Sequence, residues 1–173
     1  MPSVTERTSQ PCFFYGSLME PRVLNAVTRP KPGTDLFIVR ASVKGYTRYT
    51  YHNQPFPGMI VSKDPNEIVE GLLVFGHSDA ERRRLDQFEG PEYPRTSLPV
   101  TIHGQVPARF TAEKQQSYEA ESTVDAFVYL FTGPLEHLDL NRPWDYEAFK
   151  RDNVVAWTTA DDIFKSMILR SEE

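Results

Sequence analysis

Leu85-Asp86-Gln87-Phe88-Glu89-Gly90, followed by Tyr93 and Arg95, places a carboxylate at the last position of a short amphipathic helix. Upstream, Ser78-Asp79-Ala80-Glu81 has the Ser-x-x-Glu form of a capping box, so the helix is expected to begin after Ser78. Gly90 and Pro91 end it, one by adopting a turn conformation and the other by lacking an N–H. Leu85 and Phe88 lie three residues apart and mark the face turned to a core. Glu89, four after Leu85, projects close to that face, where its charge meets the negative end of the helix dipole in a partly desolvated place. Both effects disfavour the anion and raise its pKa toward the range useful for proton transfer at neutral pH. Glu89 is therefore the candidate general base. The plainer reading, a solvated glutamate at an ordinary helix exit, needs a second feature elsewhere in the chain to displace it.

The chain has 173 residues, 39% hydrophobic and 25% charged, which suits one globular domain able to bury a core without staples. Net charge is −5, and acidic and basic residues are interspersed. The one dense basic run, Arg82-Arg83-Arg84, reads as a solvated helix face rather than a nucleic-acid stripe, so no nucleic-acid partner is expected. A single cysteine, Cys12, excludes an intramolecular disulfide and sits in an apolar run, where a free thiol behaves as a small hydrophobe. His52, His77, His103 and His137 are scattered without metal-ligand spacing, so no metal is expected. No stretch approaches the roughly 20 apolar residues of a membrane span. The polar residues 1–10 lack the apolar centre of a signal peptide and read as a disordered leader. The expected location is cytoplasmic.

Runs rich in β-branched and aromatic residues, separated by turn signals, predict strands at 12–15, 36–43, 46–51, 58–61, 68–75, 96–102, 106–111 and 124–131. Helical spacing predicts helices at 20–27, 79–89, 144–150 and 154–169. The last two belong to a tail, residues 143–170, too short for its own core and expected to pack on the exterior. The economical architecture is a single α+β domain over residues 11–173, built on a small, strongly bent, mostly antiparallel sheet approaching a barrel.

The second feature is Tyr15-Gly16-Ser17-Leu18, which closes the first strand and opens a short helix. A glycine there can turn with positive φ and present backbone N–H groups that favour an anion. The loop lacks Gly-Lys-Ser/Thr, so a carboxylate fits better than a polyphosphate. Ser17 lacks a nucleophile elbow and is not read as a nucleophile.

Phe13-Phe14-Tyr15-Gly16-Ser17-Leu18, Phe56-Pro57-Gly58-Met59, Val69-Glu70-Gly71-Leu72-Leu73, the Leu85–Gly90 stretch with Tyr93 and Arg95, and Ala126-Phe127-Val128-Tyr129 follow one another in a fixed order. This ordered set resembles the γ-glutamylcyclotransferase-like superfamily, and within it the AIG2-like branch, which shares motifs with γ-glutamylamine cyclotransferases. The resemblance covers about residues 12 to 131, and the tail from Trp144 to Leu169 resembles the helical extension of fungal AIG2-like proteins. It implies a small β-barrel with flanking helices and an active-site cavity at its mouth. It implies release of 5-oxoproline from a γ-glutamyl compound, by attack of the α-amine on the γ-carbonyl, without a cofactor. The matching glutamate, Glu89, would shuttle protons, and the Tyr15–Leu18 loop would supply backbone donors. The expected partner is a small-molecule substrate with a carboxylate or γ-glutamyl group.

The remaining candidates are substrate-binding positions around that loop. Tyr15 and Tyr129 could line the cavity or simply pack in it. Pro57 and Gly58 would shape a strand entry beside it, and Gly58 could admit close approach to the backbone. Tyr93 and Arg95 follow the helix, Arg95 being read first as an ion-pair partner for a carboxylate such as Asp86. One face of the Tyr46–Tyr51 strand would line the cavity mouth. Two other readings keep the cavity but change the chemistry: a cyclase or isomerase acting on a non-glutamyl secondary metabolite, and a small-molecule-binding module without turnover.

Overall fold

The computed structural model describes residues 10–111 and 116–152. Eight strands run in chain order: β1 (Cys12–Phe14), β2 (Phe37–Lys44), β3 (Tyr46–Tyr51), β4 (Pro57–Val61), β5 (Ile68–Phe75), β6 (Arg95–Ile102), β7 (Thr123–Tyr129) and β8 (Leu138–Pro143). The helices are α1 (Pro21–Thr28), α2 (Asp79–Glu89) and α3 (Tyr146–Asp152). Strands β1-β5-β2-β6-β7 close into a barrel, and β4-β3-β8 form a second, three-stranded sheet. All pairings are antiparallel except β1 with β7, where Cys12 and Phe13 lie beside Phe127 and Val128. The expected α+β barrel is the fold observed.

Strand periodicity explains why β1 is apolar on both faces. Phe13 joins Val39, Ala41, Val43, Val69, Leu73, Val100, Ile102, Ala126 and Val128, drawn from all five barrel strands, in the barrel interior. Its neighbours Cys12 and Phe14 face the other way, into a second core with Val23, Leu24 and Val27 of α1 and Leu85 and Phe88 of α2. Gly71 of β5 has the same parity as Val69 and Leu73. A Cβ there would lie 2.3 Å from the Phe14 carbonyl oxygen and 2.8 Å from Cζ of Phe13, so the absent side chain is what lets β1 lie against β5 with the Phe13 ring inside. Cys12 is fully buried, and burial pushes its thiol up to about 11. Iodoacetamide at neutral pH is therefore expected to leave Cys12 unmodified in the folded protein and to label it in urea; comparable labelling without denaturant would contradict this packing.

Three expectations are corrected and one strand is added. Residues 106–111 do not form a strand: Val106 makes one antiparallel bridge with Tyr118, after which Ala108–Phe110 form a 3₁₀ turn. Pro107 explains the break, because it has no N–H for a ladder, and its carbonyl instead accepts the Phe110 N–H at 3.0 Å. Strand β8 is not expected from sequence, since Asp139, Asn141 and Pro143 disfavour strands; it is held as a partner of β3 across a bulge at Tyr49/Thr50. The helix expected at 144–150 starts at Tyr146, because the Asp145 carboxylate accepts the Glu147 N–H at 3.1 Å and caps it. The basic run is a solvated face only at Arg83, which is exposed. Arg82 is 3% exposed, donates to the Gln10 carbonyl at 2.9 Å and lies over the Phe127 ring, while Arg84 donates to the Thr28 carbonyl at 2.7 Å. These two arginines pin α2 to the Gln10 backbone and to α1. The leader up to residue 9 and the helix expected at 154–169 lie outside the described residues.

Candidate active site

Helix α2 is built as its sequence dictates. The Ser78 hydroxyl accepts the Glu81 N–H at 3.2 Å and donates to the Glu81 carboxylate at 3.0 Å. At the other end Gly90, at φ +81°, donates its N–H to the Asp86 carbonyl. The helix thus stops one residue after Glu89 and delivers that side chain to a cavity of about 280 Å³. The turn after β1, Tyr15 to Leu18, lines the same cavity; Tyr51, Phe56, Pro57, Phe88, Glu92 and Tyr93 complete most of the remainder. The acid and the turn, distant in sequence, share one space.

Glu89 is partly open to the cavity, and among the described residues no group hydrogen-bonds its carboxylate. Burial pushes its pKa up to about 8, with the Asp86 carboxylate one turn earlier adding to the rise. Asp86 itself accepts the Tyr129 hydroxyl at 2.7 Å and lies 3.5 Å from Nε of Arg95. The expected Arg95–Asp86 pairing is thus present, with the guanidinium also over the Phe127 ring at 4.6 Å.

The turn differs from expectation in its backbone. Gly16 has φ −129°, not a positive value, so left-handed geometry is not why glycine stands there. Space is the reason, since a Cβ would meet Cγ and Cδ of Pro57 at 2.9 Å. Ser17–Met19 then form a single 3₁₀ turn, closed by the Met19 N–H donating to the Gly16 carbonyl at 2.9 Å. The first amides of such a turn have no partner within it, and those of Ser17 and Leu18 find no acceptor among the described residues.

The expected site residues divide into two groups. Tyr15, Gly16, Ser17, Leu18, Pro57, Tyr93 and Glu89 line the cavity together; Gly58 and Tyr129 do not. The room left by Gly58 is taken by Leu138 and Phe131, whose atoms would stand 2.9 and 3.0 Å from a Cβ. Tyr129 faces Asp86 through its hydroxyl, and its carbonyl accepts the Tyr15 hydroxyl at 2.5 Å. Tyr93 donates to the Pro57 carbonyl at 3.1 Å. Burial drives all three tyrosine pKa values up, so they stay neutral, and their hydroxyl protons are committed inside the protein. They fix the shape of the walls.

Two contributors escape sequence reading. Arg48 of β3 donates from Nη1 to the Tyr15 carbonyl at 2.6 Å and to the Glu70 carbonyl at 3.0 Å, beneath the Trp144 ring. It ties the turn to β5 and to the tail, a link that only the tertiary fold creates. Glu92 lines the cavity beside Tyr51, although in sequence nothing sets it apart between Pro91 and Tyr93. Tyr51 itself fits the expected role of the Tyr46–Tyr51 strand at the cavity mouth. Among the described residues no group of three or more His, Cys, Asp or Glu is placed to hold a metal ion, and no helix is long and apolar enough to cross a membrane.

A closed five-stranded barrel, whose first turn and second helix line a cavity holding a carboxyl without a partner among the described residues, defines the class of protein. Comparison with known sequences places it: residues 12–148 match the family model described as gamma-glutamyl cyclotransferase, AIG2-like, and the chain belongs to that family. It is 28% identical over 151 residues to Protein AIG2 A of Arabidopsis thaliana, covering 87% of this chain and 76% of that one. Over a shorter span of 88 residues, 51% of this chain and 50% of the other, it is 38% identical to Protein AIG2 C of the same plant. A solution structure of an Arabidopsis thaliana protein superposes with a TM-score of 0.55 at 22% identity, covering 95% of this chain and 84% of that one, and supports the fold.

Proposed function

We propose that the chain is a cyclotransferase acting on γ-glutamyl amines, with Glu89 as its proton carrier. The observation that carries this reading is that Glu89, whose carboxyl has no hydrogen-bond partner among the described residues, lines one cavity with Ser17 and Leu18, whose amides likewise find no acceptor among them. The amides of Ser17 and Leu18 receive the substrate's carboxylate or the oxyanion that develops at its γ-carbonyl. Held at one end, the flexible glutamyl chain is folded so that its own α-nitrogen reaches the γ-carbon, the positioning task that intramolecular reactions exploit.

The proton count then sets what Glu89 does. The α-ammonium must lose two protons to become the ring N–H of 5-oxoproline. The departing nitrogen must gain two to leave as an ammonium. Ionised Glu89 takes the first proton, and the freed nitrogen forms the new C–N bond. Protonated Glu89 then returns a proton to the departing nitrogen as the old C–N bond breaks, and a second pass balances the charge. A carboxyl raised to about 8 is a much stronger base than an ordinary glutamate, so it takes a proton from the substrate's α-ammonium at lower cost and can return it to the departing nitrogen.

The direct test is a panel of γ-glutamyl amines, with 5-oxoproline as the readout. Release from none of them would overturn the proposal. The pH profile gives a second test. On this reading kcat/KM rises with pH through about 8, as free Glu89 ionises. Asp86→Asn removes a charge that opposes this ionisation, so the rise is expected to move to lower pH. A shift to higher pH would show that Glu89 is not the group being titrated.

A further inference from the structure

A second cavity, of about 470 Å³, lies where β3, the start of β5 and the Pro143–Trp144 corner meet, and it shares no lining residue with the first. Its wall holds two charges that the fold does not match. Arg48 is half-buried, and its Nη1 donates to the Tyr15 and Glu70 carbonyls. That leaves the side-on edge formed by Nε and Nη2, the edge that grips a carboxylate with two parallel hydrogen bonds. Among the described residues this edge has no acceptor and the guanidinium has no ion-pair partner. Glu70 is in the same position: its backbone carbonyl holds Arg48, while its exposed carboxylate has no partner among the described residues. Burial lowers the Arg48 pKa from its ordinary value, as expected of a cation short of both water and an anion. Partly desolvated arginines are ordinarily paired, so an open fork beside an open carboxylate calls for an occupant.

The surroundings decide which occupant fits. A lone anion is disfavoured, because the carboxylates of Glu67 and Glu70 line the same space and that of Asp145 acts on Arg48 from beside it. A lone cation is disfavoured by the guanidinium itself. Two of those carboxylates are already engaged: Glu67 accepts the Ser62 hydroxyl at 2.7 Å, and Asp145 accepts the Glu147 N–H at 3.1 Å. Glu70 is the one left to receive a donor. Apolar surface completes the wall, with the Trp144 ring 5.2 Å from the guanidinium carbon and Ile68 56% exposed. A carboxylate for the arginine edge, an ammonium for Glu70 and a short apolar chain for Ile68 and Trp144 together describe an amino acid.

We propose that this second cavity binds a free α-amino acid with an aliphatic side chain, its carboxylate on Nε and Nη2 of Arg48 and its ammonium on Glu70. The site is separate from the cavity of Glu89 and stands whether or not the cyclotransferase reading does. Because Nη1 keeps both of its carbonyls, the ligand docks without releasing the Tyr15–Leu18 turn.

The test follows the Trp144 indole N–H in nitrogen–proton correlation spectra of the full chain, since that group donates to the Pro55 carbonyl at 2.7 Å and its ring lines the cavity. L-leucine is compared with 4-methylpentanoate, which lacks the ammonium, and with isopentylamine, which lacks the carboxylate. L-leucine should shift the resonance saturably and bind about tenfold or more tightly than either analogue, the scale of one charge-assisted hydrogen bond. No saturable shift, or an analogue that binds as tightly as L-leucine, would overturn the proposal. Arg48 also holds the turn, so the variant used is Glu70→Gln, whose exposed side chain supports nothing else and whose loss should leave Tm unchanged. It should weaken L-leucine to the level of 4-methylpentanoate without weakening 4-methylpentanoate itself. An unchanged affinity for L-leucine in this variant would overturn the proposal as well.

Discussion

Glu89→Gln should lower kcat/KM for 5-oxoproline release by about 10³-fold or more while making the protein harder to unfold at alkaline pH. On the proposed function, the first effect follows from losing the group that accepts and returns protons, a contribution of about 10² to 10⁴ for acid–base catalysis in general. The second follows from linkage. In the unfolded chain the carboxyl titrates near 4.5, and in the fold it is raised to about 8. Between those values the native state holds a proton that the unfolded state has released. Wild-type stability therefore falls as pH rises through this window, and the loss is complete above the folded value. Glutamine has no proton to lose. Its variant should match wild type near pH 4 and exceed it above pH 8 by a few kcal/mol, from the general equivalence of pKa shift and free energy. Urea titrations at the two pH values, run beside the activity assay, separate the outcomes. An inactive variant equally unstable at both pH values would mean that Glu89 supports the fold rather than the reaction.

Gly71→Ala should carry a heavy structural penalty for the addition of one methyl group. The new carbon would stand 2.3 Å from a backbone oxygen of β1, and backbone in a barrel strand cannot rotate aside as a long side chain can. A loss of about 3 kcal/mol or more is expected, which for a chain of this size lowers Tm by roughly 6 to 12 °C. Gly90→Ala supplies the contrast. Nothing lies within 4 Å of its Cβ position, but at φ +81° and ψ −173° its backbone is in a region nearly confined to glycine, so conformational strain alone applies, about 1 to 3 kcal/mol. If the two variants melt together, β1 does not need the close approach to β5 that the structure shows. Because β1 leads directly into the Tyr15–Leu18 turn, a partly folded Gly71→Ala protein should also lose cavity function.

Features set within one turn of chain are legible in the sequence. Helix α2 reads correctly from Ser78 to Gly90, because the cap, the apolar spacing and the stop are all local signals. The raised pKa of Glu89 follows from that position, although which neighbour adds to it cannot be read before Asp86 is placed. Sequence reasoning fails where tertiary contact overrides local preference. Strand β8 carries residues that disfavour strands and exists because β3 offers an edge to pair with. Arg82 looks solvated because charge runs commonly are, yet it finds the Gln10 carbonyl and the Phe127 ring only once β7 and residue 10 are brought beside α2. A conformational reason for Gly16 is what the local sequence suggests, and its actual constraint is Pro57, more than forty positions later. Gly58 and Tyr129 are marked by their motifs, and the fold uses both for packing and support outside the cavity wall.

The 3₁₀ turn at Ser17–Met19 presents main-chain groups, and its side chains are incidental to that offer. Exchanging Ser17 or Leu18 for residues of similar bulk leaves the same two amides in place, so substitutions there would be largely silent toward an acid ligand. Vulnerability is displaced onto Gly16, Pro57 and Arg48, which determine where the loop sits. Recognition by neutral dipoles also predicts weak dependence on ionic strength at that end of the ligand, in contrast to the salt sensitivity that an arginine clamp would confer.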